Sequence, residues 1–137
     1  MNSLDWLRGR KFQRLEHREY DWVLVFDDKG VIVISCLWRL LERGHIRRTS
    51  SDHGQQFGLP APVNVADETN RLLQSASIDS VTLKTSTLDI ELGFSNGYVF
   101  QILPDSSGYE SWIAYNNTSE FIATGGGRLD TIPARDG

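Results

Sequence analysis

The chain has 137 residues, 39% of them hydrophobic, with a formal net charge of −4 and a pI of about 5.3. That length suits one domain with a core of its own, and no run approaches the ~20 apolar residues of a membrane span. The acidic pI argues against nucleic acid as the main ligand, and the single cysteine, Cys36, excludes an internal disulfide. Charge is unevenly spread: residues 1–50 carry 10 Lys and Arg against 7 Asp and Glu, and residues 51–137 carry 4 against 11. The opening MNSLDWLRGRKF has no apolar signal region, so the expected location is cytoplasmic.

Leu4 to Leu7 can form a helical turn that Gly9 ends, and the basic run Arg8, Arg10, Lys11 and Arg14 reads as a solvated lead-in to a strand near Phe12 to Glu16. Tyr20 to Phe26 is apolar on both alternating faces, the pattern of a central strand covered on both sides. Asp27-Asp28-Lys29-Gly30 supplies a turn, Val31 to Cys36 returns, and Leu37 to Leu40 continues extended. Arg47 to Pro62, rich in Ser, Gly, Gln and Pro, predicts a mobile loop or lid. Asn64 can cap a helix from Val65 to about Ala76, with Val65, Thr69, Leu72, Leu73 and Ala76 on one face and an Asp67–Arg71 pair on the other.

Ile78 to Thr85 begins a second set of strands, with Val81 and Leu83 pointing inward. The cleanest strand is Leu88 to Phe94, where Leu88, Ile90, Leu92 and Phe94 alternate with Asp89, Glu91 and Gly93. Ser95-Asn96-Gly97 makes a hairpin turn, and Tyr98 to Leu103 returns until Pro104 stops the ladder. The chain re-enters from Tyr109 to Tyr115, turns at Asn116-Asn117, and climbs Phe121 to Thr124. After Gly125 to Gly127 it ends in a strand near Leu129 to Ile132.

Laying Tyr20, Trp22, Leu24 and Phe26 on Leu88, Ile90, Leu92 and Phe94 brings the two hairpin turns together, and both returning strands lead to a tryptophan, Trp38 and Trp112. Two readings stand. One is an internal duplication within a single domain, with units at about 10–46 and 78–132 linked by the loop 47–63 and the helix 64–76. The other is that amphipathic hairpins resemble one another. The predicted fold class is α+β, mainly antiparallel β: two related curved sheets or a partly open barrel with one packed helix.

Cys36 is the obvious nucleophile to weigh, with His17, His45 or His53 as its base, but VIVISCLW is an apolar setting in which a thiol is inert. His45 and His53 lack the close spacing and third ligand of a zinc site, so neither metal nor cofactor is expected. Asp105 and Glu110 can be read as an acid–base pair or as a turn residue and an exposed carboxylate, and the second reading is preferred. Gly125 to Gly127 lacks the following helix of a phosphate loop, so a bulge or a close backbone approach is expected there. The sequon at Asn116-Asn117-Thr118-Ser119 reads as a turn. The candidate interaction surface is Tyr109, Glu110, Trp112, Tyr115 and Asn116, set against a reading in which Trp112 and Tyr115 are core residues with polar tips.

A hairpin with a Gly turn, then Leu103-Pro104-Asp105, Tyr109-Glu110-Ser111-Trp112 and Gly125-Gly126-Gly127 with a final strand, resembles a family of small bacterial proteins of unknown function. Gly9-Arg10 and Trp38-Arg39-Leu40 extend the pattern over most of the chain. In size and β-rich character the chain is also similar to immunity proteins, which neutralise toxins delivered by neighbouring cells. The resemblance implies a fold and a bacterial source and carries over no catalytic residue. Ile132 and Pro133 stand where the family commonly has a final tryptophan, so the last strand is expected to end early.

The expected function is that of a non-catalytic cytoplasmic binding protein, an immunity or regulatory factor acting on a protein partner. The acidic second half suits a basic one. The alternative is a small-molecule binder or enzyme using a cavity between the two β units, closed by the Arg47 to Pro62 loop. Homodimerisation through a sheet edge is a third reading.

Overall fold

The computed structural model describes residues 2–134. In chain order its strands are β1 (Phe12–His17), β2 (Trp22–Phe26), β3 (Val31–Ile34), β4 (Leu37–Glu42), β5 (His45–Thr49), β6 (Ile78–Leu83), β7 (Ile90–Phe94), β8 (Val99–Leu103), β9 (Trp112–Tyr115), β10 (Ser119–Thr124) and β11 (Arg128–Pro133). The helix α1 (Val65–Leu72) lies between β5 and β6. A first sheet runs β1-β2-β3-β9-β10-β11 and a second runs β5-β4-β8-β7-β6, with antiparallel pairing throughout. Both stay open, so the architecture is a pair of sheets and not a barrel.

The sheets are not the two sequence units facing each other, because each takes strands from both. The chain leaves the first sheet at Ser35-Cys36 and enters the second at β4; after β8 it crosses back to β9. Exchanging β1 to β5 with β6 to β10, each for each, turns the order β1-β2-β3-β9-β10 of the first sheet into that of the second, and β11 is left without a counterpart. Under that exchange β2 stands where β7 stands, and β4 where β9 stands.

Alternation then fills the space between the sheets. Trp22, Leu24, Phe26, Ile32, Ile34, Trp112 and Ala114 point inward from one side, and Trp38, Leu40, Ile90, Leu92, Phe100 and Ile102 from the other. Trp38 stacks on Phe100 at 4.7 Å between ring centroids and meets Trp22 edge-on at 5.1 Å. Each such large side chain contributes about 1.5–3 kcal/mol by leaving water.

Asn64 caps α1 as its position predicts, its side chain accepting a hydrogen bond from Asp67 N at 3.0 Å. The helix stops at Leu72, short of Ala76, because the next turn puts Ser75 at a φ of +65°. Leu73 and Ala76 remain buried all the same. The expected Asp67–Arg71 pair does not form among the described residues; Glu68 instead binds Arg47 and Arg48 of β5. Asn70 reaches the outer edge of β1, where it accepts from Leu15 N at 2.7 Å and donates to Leu15 O at 2.9 Å. A side-chain amide thus satisfies an edge strand as a neighbouring strand would.

The segment expected as a mobile loop or lid starts as β5 and continues as a 3-10 turn, Ser50–Asp52, closed by a Thr49–Asp52 capping box. Its remainder is tied at the root, with Gly54 N donating to Val63 O at 2.9 Å and Val63 N to Gln55 O at 2.8 Å.

Candidate functional site

The five residues singled out from sequence do not form one surface. Trp112 is only 1% exposed and its Nε1 donates to Leu88 O at 2.9 Å, so its indole belongs to the core. Tyr109, 82% exposed, and Glu110 sit on the loop before β9. Asn116 is a turn former, with Oδ1 accepting from Thr118 N, Thr118 Oγ1 and Ser119 N. Only Tyr115 faces outward from the sheet, three residues beyond Trp112 and one beyond the buried Ala114, with Ile113 on the same side. The period of two along β9 separates what lies close in sequence.

That outward side is the notable surface of the molecule. Ladder partners place Val23, Val33, Ile113 and Ile122 in one cross-strand row, and Val25, Val31, Tyr115 and Glu120 in the row beside it. Seven of these eight positions are apolar, and no helix or sheet of the described residues packs over them. Val23 is buried by its neighbours and the others are half-buried. From strand and residue spacings the patch covers on the order of 300 Å², comparable with the largest apolar patch of a typical monomer.

Its two margins differ in charge. Along β1, Arg14 and Glu16 flank Val25 and Val23 and pair with each other, and nearby Arg18 holds Asp21 through two bonds of 2.6 and 2.7 Å. That contact keeps the Asp21 carboxyl below its ordinary range. Along β10 and β11, Glu120 lies beside Tyr115 and Asp130 beside Ile122, and neither has a cation within ion-pair distance among the described residues. The signal for this face was present in the doubly apolar runs of β2 and β3. One side of them meets the core, but the expected cover on the other is absent among the described residues.

The residues weighed for chemistry lie apart. Cys36 is buried, and its thiol is pushed up to about 12, first by burial and then by Asp105. His17 and His53 contact each other and Trp22, whereas His45 is exposed on β5. Asp105 and Glu110 are exposed loop carboxylates. No group of three or more His, Cys, Asp or Glu side chains among the described residues has the arrangement to hold a metal ion. At Gly125 a Cβ would come within 2.5 Å of the Gly108 backbone, so the glycine run serves a close approach of two loops. A depression of about 590 Å³ lies outside the sheets, between residues 59–63 and α1, with Arg48, Asp67 and Arg71 on its wall. Compared with protein-family models, curated proteins and solved structures, the chain finds no match.

Proposed function

We propose that this protein is a non-catalytic binding protein that docks a basic protein partner on the outer face of its first sheet. The observation that carries the reading is the uncovered apolar patch of Val23, Val25, Val31, Val33, Ile113, Tyr115 and Ile122 with carboxylates at one margin. An interface needs a core that leaves water and a rim that orients it. Glu120 and Asp130 supply a rim for Lys or Arg.

A second copy fits less well. A two-fold axis along the strands sets Glu16 over Asp130, and one across them gathers the Glu120 and Asp130 carboxylates of both copies at one end. A cytoplasmic factor that neutralises another protein by covering it, as immunity proteins do, needs such a face and no reactive group.

The test uses a synthetic peptide, Lys-Lys-Val-Thr-Val-Thr-Val-Lys-Lys, and its Glu-flanked counterpart, followed by amide NMR shifts of the labelled protein. Shifts are expected on β2, β3, β9 and β10 with the Lys peptide alone, weakened by salt and by about tenfold in Glu120→Lys with Asp130→Lys. Equal response to both peptides, or shifts confined elsewhere, removes the proposal.

A further inference from the structure

His53 joins three parts of the fold. It follows the Ser50–Asp52 turn, and its Nδ1 accepts a hydrogen bond from Val65 N, the first residue of α1, at 3.1 Å. Its ring meets His17 edge-on at 4.7 Å and Trp22 at 5.5 Å, while His17 stacks on Trp22 at 4.0 Å. An imidazole nitrogen accepts only when it carries no proton, so this geometry requires neutral His53 with hydrogen on Nε2. The start of a helix is also the end of its dipole that disfavours a cation.

The surrounding charges are few. From β1 comes His17, and from the turn before β2 comes Asp21, already bound to Arg18. Asp52 accepts from Thr49 N at 2.9 Å. In the first turn of α1, Asp67 donates its backbone N–H to Asn64, and Glu68 is engaged by Arg47 and Arg48. Directly beyond His53 the Gly54–Val63 clasp holds a loop that exposes Phe57 by 62% and Leu59 by 44%.

We propose that His17 and His53 form an acid-released latch, in which protonation of the pair expels His53 from the α1 N-terminus and frees the root of the 54–63 loop. One proton goes to His17, whose ring is covered on one face by Trp22, reaches solvent at its edge and lies near Asp21. A second, on His53 Nδ1, turns the acceptor into a donor aimed at the Val65 N–H and places two imidazolium rings in contact. Burial and His53 hold His17 below its ordinary value, with Asp21 opposing. This inference is independent of the outer sheet face.

Amide hydrogen exchange of the full chain, measured at about pH 7.5 and about pH 5 and divided by intrinsic rates, tests it. Protection at Gly54, Val63 and Val65 is expected to fall by about tenfold or more at the lower pH, while Phe100 and Ile102 keep theirs. His53→Asn keeps an acceptor oxygen without a titrating group, and protection there should be alike at both pH values. His17→Phe keeps the ring on Trp22 and should shrink the wild-type change to about threefold or less. Equal wild-type protection at both pH values overturns the latch. So does an undiminished change in either variant, and the wild-type measurement decides even if a variant fails to fold.

Discussion

Trp38 stands opposite Ile102 across the ladder of the second sheet, and Trp112 stands opposite Ile34 across that of the first. Each tryptophan sits on the strand that follows a crossing between the sheets, so each half of the chain closes a ladder begun by the other. The two differ in one respect. Trp112 Nε1 donates to Leu88 O, whereas Trp38 Nε1 is buried without a hydrogen-bond partner among the described residues.

Trp112→Phe should therefore cost more than Trp38→Phe. The first leaves the Leu88 carbonyl unpaired, at about 1–3 kcal/mol, while the second removes a donor that has no partner. Urea unfolding of the two variants checks the order, and either Trp→Ala change is expected to cost about 3–5 kcal/mol.

Asn70→Ala removes both hydrogen bonds to Leu15 and bares the edge of β1. A loss of about 1–3 kcal/mol is expected. Asn70→Asp should recover little of it, because a carboxylate cannot donate to Leu15 O. Equilibrium denaturation shows the loss, and light scattering shows whether the bared edge associates.

Lys29→Gly should stabilise. Asp28 and Lys29 hold φ of +53° and +63° in the first hairpin turn, where an L side chain is strained and glycine is not. Arg10 donates to Asp27 O and Asp28 O and keeps the turn in place. The gain is expected at about 1 kcal/mol, read as a raised Tm.

A thiol reagent at mildly alkaline pH should leave Cys36 unmodified in the native protein, since its thiol is pushed up to about 12 and lies buried. Labelling should appear only with denaturant, along the unfolding curve.

Stability should fall in two steps as pH is lowered. His17 is held below its ordinary 6.5, chiefly by burial, so the unfolded chain takes up a proton more readily and stability is lost as pH drops below that value. Asp21, held below its ordinary 3.8 by Arg18, contributes stability present above that value and lost beneath it. Thermal melts across pH should show His17→Phe with a smaller first step and Asp21→Asn without the second.

Much of the fold could be read from neighbouring residues. Period-two alternation, Asn-Gly and Asp-Asp-Lys-Gly turns and the Asn64 cap are local devices, and they placed most strands and the start of α1 correctly. The apolar spacing overextends the helix because Leu73 and Ala76 stay buried in a turn that Ser75 opens with a positive φ, and burial alone does not distinguish a helix from the turn after it. β5 was hidden because its polar residues lie at a sheet edge, where pairing needs no apolar alternation.

What the sequence determined by itself was which residues alternate and where the chain turns, since both follow from backbone geometry within a few residues. Only the tertiary structure decided that β3 pairs with β9 and β4 with β8, that Trp112 faces the core, and that one apolar side of β2 and β3 faces outward. Those outcomes depend on partners up to about eighty residues away. A strand's pattern records that a face is apolar, but what covers that face is settled by the strand that comes to lie beside or above it.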